Sequence, residues 1–78
     1  MQDLQAYVVV EVQTAADGTV ATLVTSHRDQ NEAESAYHGV LAAAAISAVP
    51  MHGAVMFAND GIFMEGRCYR HETEGGAA

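Results

Sequence analysis

The chain has no tryptophan and no lysine, and only one cysteine and one proline. Each scarcity removes a class of chemistry. Without lysine there is no Schiff-base nucleophile. With Cys68 alone, neither an internal disulfide nor a zinc site built on a cysteine cluster is available. The cations are Arg28, Arg67 and Arg70, set against ten acidic residues for a net charge of −7. Such a chain lacks the phosphate-neutralising residues that nucleic-acid polymers demand, and anionic membrane surfaces repel it. The apolar run from Val40 to Val49 falls well short of the roughly 20 residues that span a bilayer. The opening segment "MQDLQAYVVVEVQT" carries an acid where a secretory signal carries basic residues, and Glu11 interrupts its apolar run. Together with a free thiol, this makes the expected setting cytoplasmic.

What the chain does have is apolar content: half of its 78 residues are hydrophobic, too many for a disordered segment. A domain of this length buries only about 60% of its unfolded surface. Disulfides and structural metals, the usual supports of small domains, are missing, which leaves oligomerisation.

The pattern along the chain predicts two hairpins joined by one helix. Residues 4–14, "LQAYVVVEVQT", are rich in β-branched residues, with Leu4, Ala6, Val8, Val10 and Val12 on one face and Tyr7, Val9, Glu11 and Gln13 on the other. Asp17-Gly18 then signals a hairpin into a second strand over 19–26. Either Val20 and Val24 or Ala21 and Leu23 supply its buried side. Asp29, with Glu32 three residues on, resembles a capping box, opening a helix from about Gln30 to Ala48 that Pro50 stops. A third strand over 51–58, a three-residue turn with Gly61 at positive φ, and a fourth strand over 62–71 complete a ββαββ order. The expected fold is α+β, a four-stranded antiparallel sheet with one helix on one face. Residues 1–72 form the single domain and 73–78 a flexible tail. The likeness of "AADGTV" and "FANDGI" reflects what any hairpin selects rather than a duplication.

One helix covers one face of such a sheet. Ala33, Ala36, Tyr37, Val40, Leu41, Ala44 and Ala48 share the stripe expected to meet it. The bare face is expected to carry Tyr7, Val9, Glu11, Phe63, Glu65, Arg67 and Tyr69, an aromatic patch of the kind that marks contact sites. The helix's outer face presents Ser35, His38, Gly39, Ala42, Ala43 and Ile46, without the charge of a solvated helix. Gly39 and Ala43 form a small-xxx-small pair that admits a second helix backbone. Gly39, Ala42, Ala43 and Ile46 are therefore candidate oligomer contacts; the plainer reading is an alanine-rich surface chosen for helix propensity.

No catalytic constellation emerges. Cys68 is expected to alternate inward with Met64 as a buried, inert thiol, and the serines have no nucleophile-elbow context. No glycine-rich phosphate loop precedes the helix. "CYRH" places Cys68 and His71 on opposite faces of a strand, so no metal is expected, and His27, His38, His52 and His71 read as polar rim residues. The arginines carry more interest. Arginine grips phosphate or carboxylate through paired donors, and Arg28 precedes a helix N-terminus that favours anions. Arg28, Arg67 and Arg70, drawn from different copies and set beside Tyr69, Phe63 or Tyr7 for stacking, form a candidate site for a small anionic ligand. The alternative is that they pair with the abundant carboxylates.

The segments "YVVVEVQTAADGT", "EAESAYHGVLAAAAISAVPMHGAVM" and "CYRHE" together resemble a group of small uncharacterised proteins from prophages and genomes of gut Firmicutes. The resemblance spans most of residues 7–72, and its most specific part is the helix with its Val-Pro exit and following His. It implies a phage or mobile-element origin, a common source of small anti-defence proteins, and no activity. The expected function is a non-enzymatic homo-oligomeric binding protein, without cofactor, that holds a nucleotide-type signal at subunit interfaces as a sponge. The alternative is an acidic inhibitor that binds a host protein directly.

Overall fold

A computed structural model of the chain describes residues 4–71. Four strands and one helix follow in the order β1 (Tyr7–Thr14), β2 (Val20–His27), α1 (Gln30–Ala45), β3 (Met51–Ala58) and β4 (Phe63–Arg70). The strands form one sheet in the order β2-β1-β3-β4, with every neighbouring pair antiparallel. The fold is the expected α+β arrangement. The tail expected at 73–78 lies outside the described residues. Among the described residues, no helix is long and apolar enough to cross a membrane.

The two hairpins turn in the same way. Ala15 N–H bonds Thr19 O at 2.8 Å and Gly18 N–H bonds Ala15 O at 2.9 Å; Ala58 N–H bonds Ile62 O at 2.9 Å and Gly61 N–H bonds Ala58 O at 2.8 Å. Gly18 and Gly61 take φ values of 91° and 93°, a region that costs a side chain and not a glycine. In each turn the aspartate accepts a backbone N–H two residues on: Asp17 from Thr19 at 2.9 Å and Asp60 from Ile62 at 3.1 Å. These bonds hold the Asp17 carboxyl below the usual carboxylate range. Both loops are therefore the three-residue kind.

Asp29 caps α1 as anticipated, in extended geometry with its side chain accepting Asn31 N–H at 3.2 Å. The helix stops at Ala45, three residues before the expected end at Ala48. The N–H groups of Ile46 and Ser47 reach back three residues to Ala43 O and Ala44 O, tightening the last turn. Ser47 Oγ then accepts Val49 N–H at 3.0 Å, offering the backbone a local alternative to helix just before Pro50. Ala48 is consequently exposed. His71 Nε2 donates to Ala44 O at 2.6 Å, tying the end of β4 to the C-terminal end of α1.

The core lies between α1 and the two central strands. Val9, Ala33, Tyr37, Ala54 and Met56 are buried together, with Tyr7, Ala36, Val40, Leu41 and Met64 packed around them. Ala44 and Ala58 are also buried. The helix therefore covers the face that carries Tyr7, Val9 and Glu11, which corrects the expectation that this face is bare. The bare face carries Val8, Val10 and Val12 of β1 with Gly53, Val55 and Phe57 of β3, by alternation from the buried Val9, Ala54 and Met56.

A bulge on β4 corrects a second expectation. Met56 pairs with Glu65, but Phe57 pairs with Phe63, so Met64 is the extra residue. Met64 turns toward the core, while Phe63 shifts to the open face and is no longer on one side with Glu65, Arg67 and Tyr69. Cys68, paired with Gly53, lies on the open face and is exposed rather than buried beside Met64.

Candidate functional site

The open face holds a groove of about 490 Å³. Its walls include Val12, Met51, Val55, Phe63 and Cys68, and its floor is Gly53 and Gly66. Gly53 is required by close approach: a Cβ there would collide with Arg67 O and lie 2.8 Å from Cys68 Cα. At Gly66 the Phe63 ring lies over the vacant side-chain position, 3.2 Å from where a Cβ would stand. The missing side chains hollow the sheet, and the aromatic ring closes one end of the hollow.

The face around this groove is apolar, and no described element covers it. Val20, Val24 and Phe63 are 58%, 59% and 64% exposed, whereas Val8, Val10 and Val12 of β1 are shielded only in part by their neighbours. By register its further members are Thr14, Thr22, Ser26 and Arg70. None of the ten acidic residues of the sequence lies among its strand positions. Arg70, at the end of β4, is its one charge.

The covered face holds the polar chemistry. His52 is 5% exposed, and its Nε2 lies 2.6 Å from Glu11 Oε2. A carboxylate only accepts, so the Nε2 proton is the one donated; Nδ1 is buried without a hydrogen-bond partner. Gln13 Nε2 donates to the same Glu11 oxygen at 3.1 Å. This pair corrects the reading of His52 as a rim histidine. The β1–β3 register puts Gln13 opposite His52 and Glu11 opposite Ala54, a non-local pairing that no local pattern announces. The only sequence signal was Glu11 itself, an acid inside an otherwise apolar strand.

His52 and Cys68 lie on opposite faces of the sheet, because His52 pairs with Tyr69 and Gly53 with Cys68. The thiol donates to Tyr69 O at 3.7 Å. A thiol and an imidazole so separated do not form a nucleophile–base pair. The other histidines are dispersed: His27 bonds Thr25 at 3.1 Å, His38 sits exposed beside Tyr37, and His71 holds Ala44 O. Among the described residues no three His, Cys, Asp or Glu side chains gather in a metal-binding group.

Of the six proposed ligand residues, Arg67 and Tyr69 meet within a chain. The Arg67 guanidinium carbon lies 4.7 Å from the centre of the Tyr69 ring, a cation–π contact, and the Tyr69 and His71 rings stack at 6.3 Å. Arg28 is at the opposite end of the sheet near Tyr7, where its Nε donates to Gln5 O at 3.3 Å. Arg70 and Phe63 occupy opposite ends of β4 on the open face. Gly39, Ala42, Ala43 and Ile46 are all exposed on the outer side of α1, Ile46 at 88%.

No family model, curated protein or solved structure matches this chain.

Proposed function

We propose that the protein is a non-enzymatic binding protein that acts as a homo-oligomer in the cytoplasm. The observation that carries this reading is the uncovered apolar face with its 490 Å³ groove, within the size range of ligand-binding pockets. The separation of Cys68 from His52 across the sheet supports a binding role over nucleophilic catalysis. In its specific form, the ligand is a small anionic nucleotide-type signal held where copies meet, and the protein is a phage or mobile-element sponge that withdraws the signal from a host defence. The support for that form is Arg70 at the end of the open face; Arg67, stacked on Tyr69, lies on the covered face. A single chain spreads its three arginines too widely to enclose a ligand, so a shared site needs a second copy.

Titration calorimetry against cyclic nucleotides and ADP-ribose derivatives tests the ligand. Binding at micromolar strength or better, lost in Arg70→Ala, is the expected result; silence across the panel contradicts it. The acidic-inhibitor alternative has weaker support. Asp17 and Asp60 cap turns at opposite ends of the sheet, while Asp29 and Glu32 lie at the start of α1. These acids form no single patch.

A further inference from the structure

The reading of the chain as a homo-oligomer leaves open which surface joins the copies. We propose that two copies join through the open sheet face, valines against valines, giving a two-layered sandwich with both helices outside. This rests on the self-association in the functional reading above and names its surface.

Three observations point to a second copy as the occupant. The first is what the helix leaves undone. Among the described residues seven hydrophobic ones are buried; Ala33, Ala44, Ala54 and Ala58 of these are alanines, and Met56 is the one large side chain below 2% exposure. Val8, Val10, Val12, Val55, Phe57 and Phe63 are turned the other way. A domain this small gains most from a second apolar layer, and a copy of itself supplies one.

The second is area. Eight-residue strands at about 3.3 Å per residue, with neighbours about 4.8 Å apart, give a footprint of roughly 500 Å². Two such faces remove at least about 1,000 Å², the scale at which a specific interface becomes stable. Face-to-face packing of twisted sheets is an established arrangement for alternating apolar strands.

The third is charge. Two copies bring together a formal charge of −7 each, and repulsion opposes any contact that juxtaposes acids. The open face has none, while the helix N-terminus and both hairpin turns do. An apolar partner therefore meets this face without unpaired charge, and added salt tightens the pair by screening what repulsion remains. The outer face of α1, by contrast, offers a narrow strip of small side chains around Gly39 and Ala43.

Sedimentation velocity of the full chain across the micromolar range tests the proposal, with Val24→Glu, Val10→Glu and Ala43→Glu variants beside it. Val24 is already 59% exposed, so its replacement leaves the monomer fold intact; circular dichroism verifies this for all three. The expected result is a species of twice the 8.2 kDa chain mass for the parent and Ala43→Glu. Val24→Glu and Val10→Glu weaken association at least tenfold and sediment as folded monomers. A dimer lost in Ala43→Glu but kept in both valine variants overturns the proposed surface and leaves the homo-oligomer reading standing. A parent monomeric throughout overturns both.

Discussion

The two faces of the sheet differ in polarity: Glu11, Gln13, His52, Glu65 and Arg67 lie on the covered face, and Arg70 is the one charged strand position of the open face. The covered face presents Ala54, Met56 and Ala58 of β3 to the small residues Ala33, Ala36 and Ala44 of α1. The open face presents three valines of β1 with Val55, Phe57 and Phe63. Small residues such as Ala33, Ala54 and Ala58 let a helix lie close and fill the interval at native density; apolar residues on a face that no described element covers leave apolar area in water. Hydrophobicity alone does not say which face a helix covers. Here the more apolar face is the one left bare, and the covered face accommodates a buried His52 paired with a half-buried Glu11.

Breaking the covered face has the largest expected effect. Met56→Ala empties a fully buried position and is expected to cost about 2–5 kcal/mol, read by urea denaturation at low protein concentration. Phe63→Ala, at a position 64% exposed, is expected to change monomer stability by under about 0.5 kcal/mol. Equal losses at the two sites would erase the distinction between the faces.

Overfilling the covered face comes next. Ala54→Leu forces a larger side chain beneath the helix and is expected to cost about 1–3 kcal/mol. Ala43→Leu, on the exposed side of α1, is expected to be nearly neutral. Glu11→Ala leaves the buried His52 Nε2 without its partner, at an expected cost of about 1–3 kcal/mol. Thermal unfolding ranks these variants.

The smallest effect concerns Tyr37. Burial, and then the nearby Glu65 carboxylate, raises its phenol above the ordinary 10.0, with Tyr69 adding to the rise and Arg67 opposing it. The neutral phenol is thus favoured by the fold. Its contribution to stability is complete below about pH 10 and is lost as pH rises through the folded value. Absorbance titration is expected to find one tyrosine ionising after the others, absent in Tyr37→Phe. A parent with no late-ionising tyrosine would contradict the burial assigned to it.

How much of this was legible in the sequence followed the range of the interaction. The Asp-Gly turns, the Asp29 cap and the ββαββ order depend on neighbours in the chain, and the structure has them as read. The covered face did not follow from the pattern, because Val8, Val9 and Val10 make both sides of β1 apolar. Choosing between them required the β1–β3 pairing, which joins residues as distant as Glu11 and Ala54. Simple alternation also failed on β4, where the bulge at Met64 separates Phe63 from Arg67 and Tyr69 and Met64 from Cys68; Cys68 faces outward because the helix covers the other side of the sheet. The helix ended early for a local reason, the Ser47 turn, which a rule keyed to Pro50 placed too late. The arginine site remains a proposal: the structure joins Arg67 to Tyr69 and leaves Arg28 far from both.

The claim that the valine face is an interface meets its most direct test at Cys68, the one thiol of the chain, which lies on that face. The measurement is its rate of reaction with a small aromatic disulfide reagent as protein concentration rises through the micromolar range. Burial between copies predicts a rate constant that falls severalfold as dimer forms, and recovers in Val24→Glu. A rate constant unchanged with concentration, in a sample shown by mass to be dimeric, would place the contact elsewhere and contradict the account.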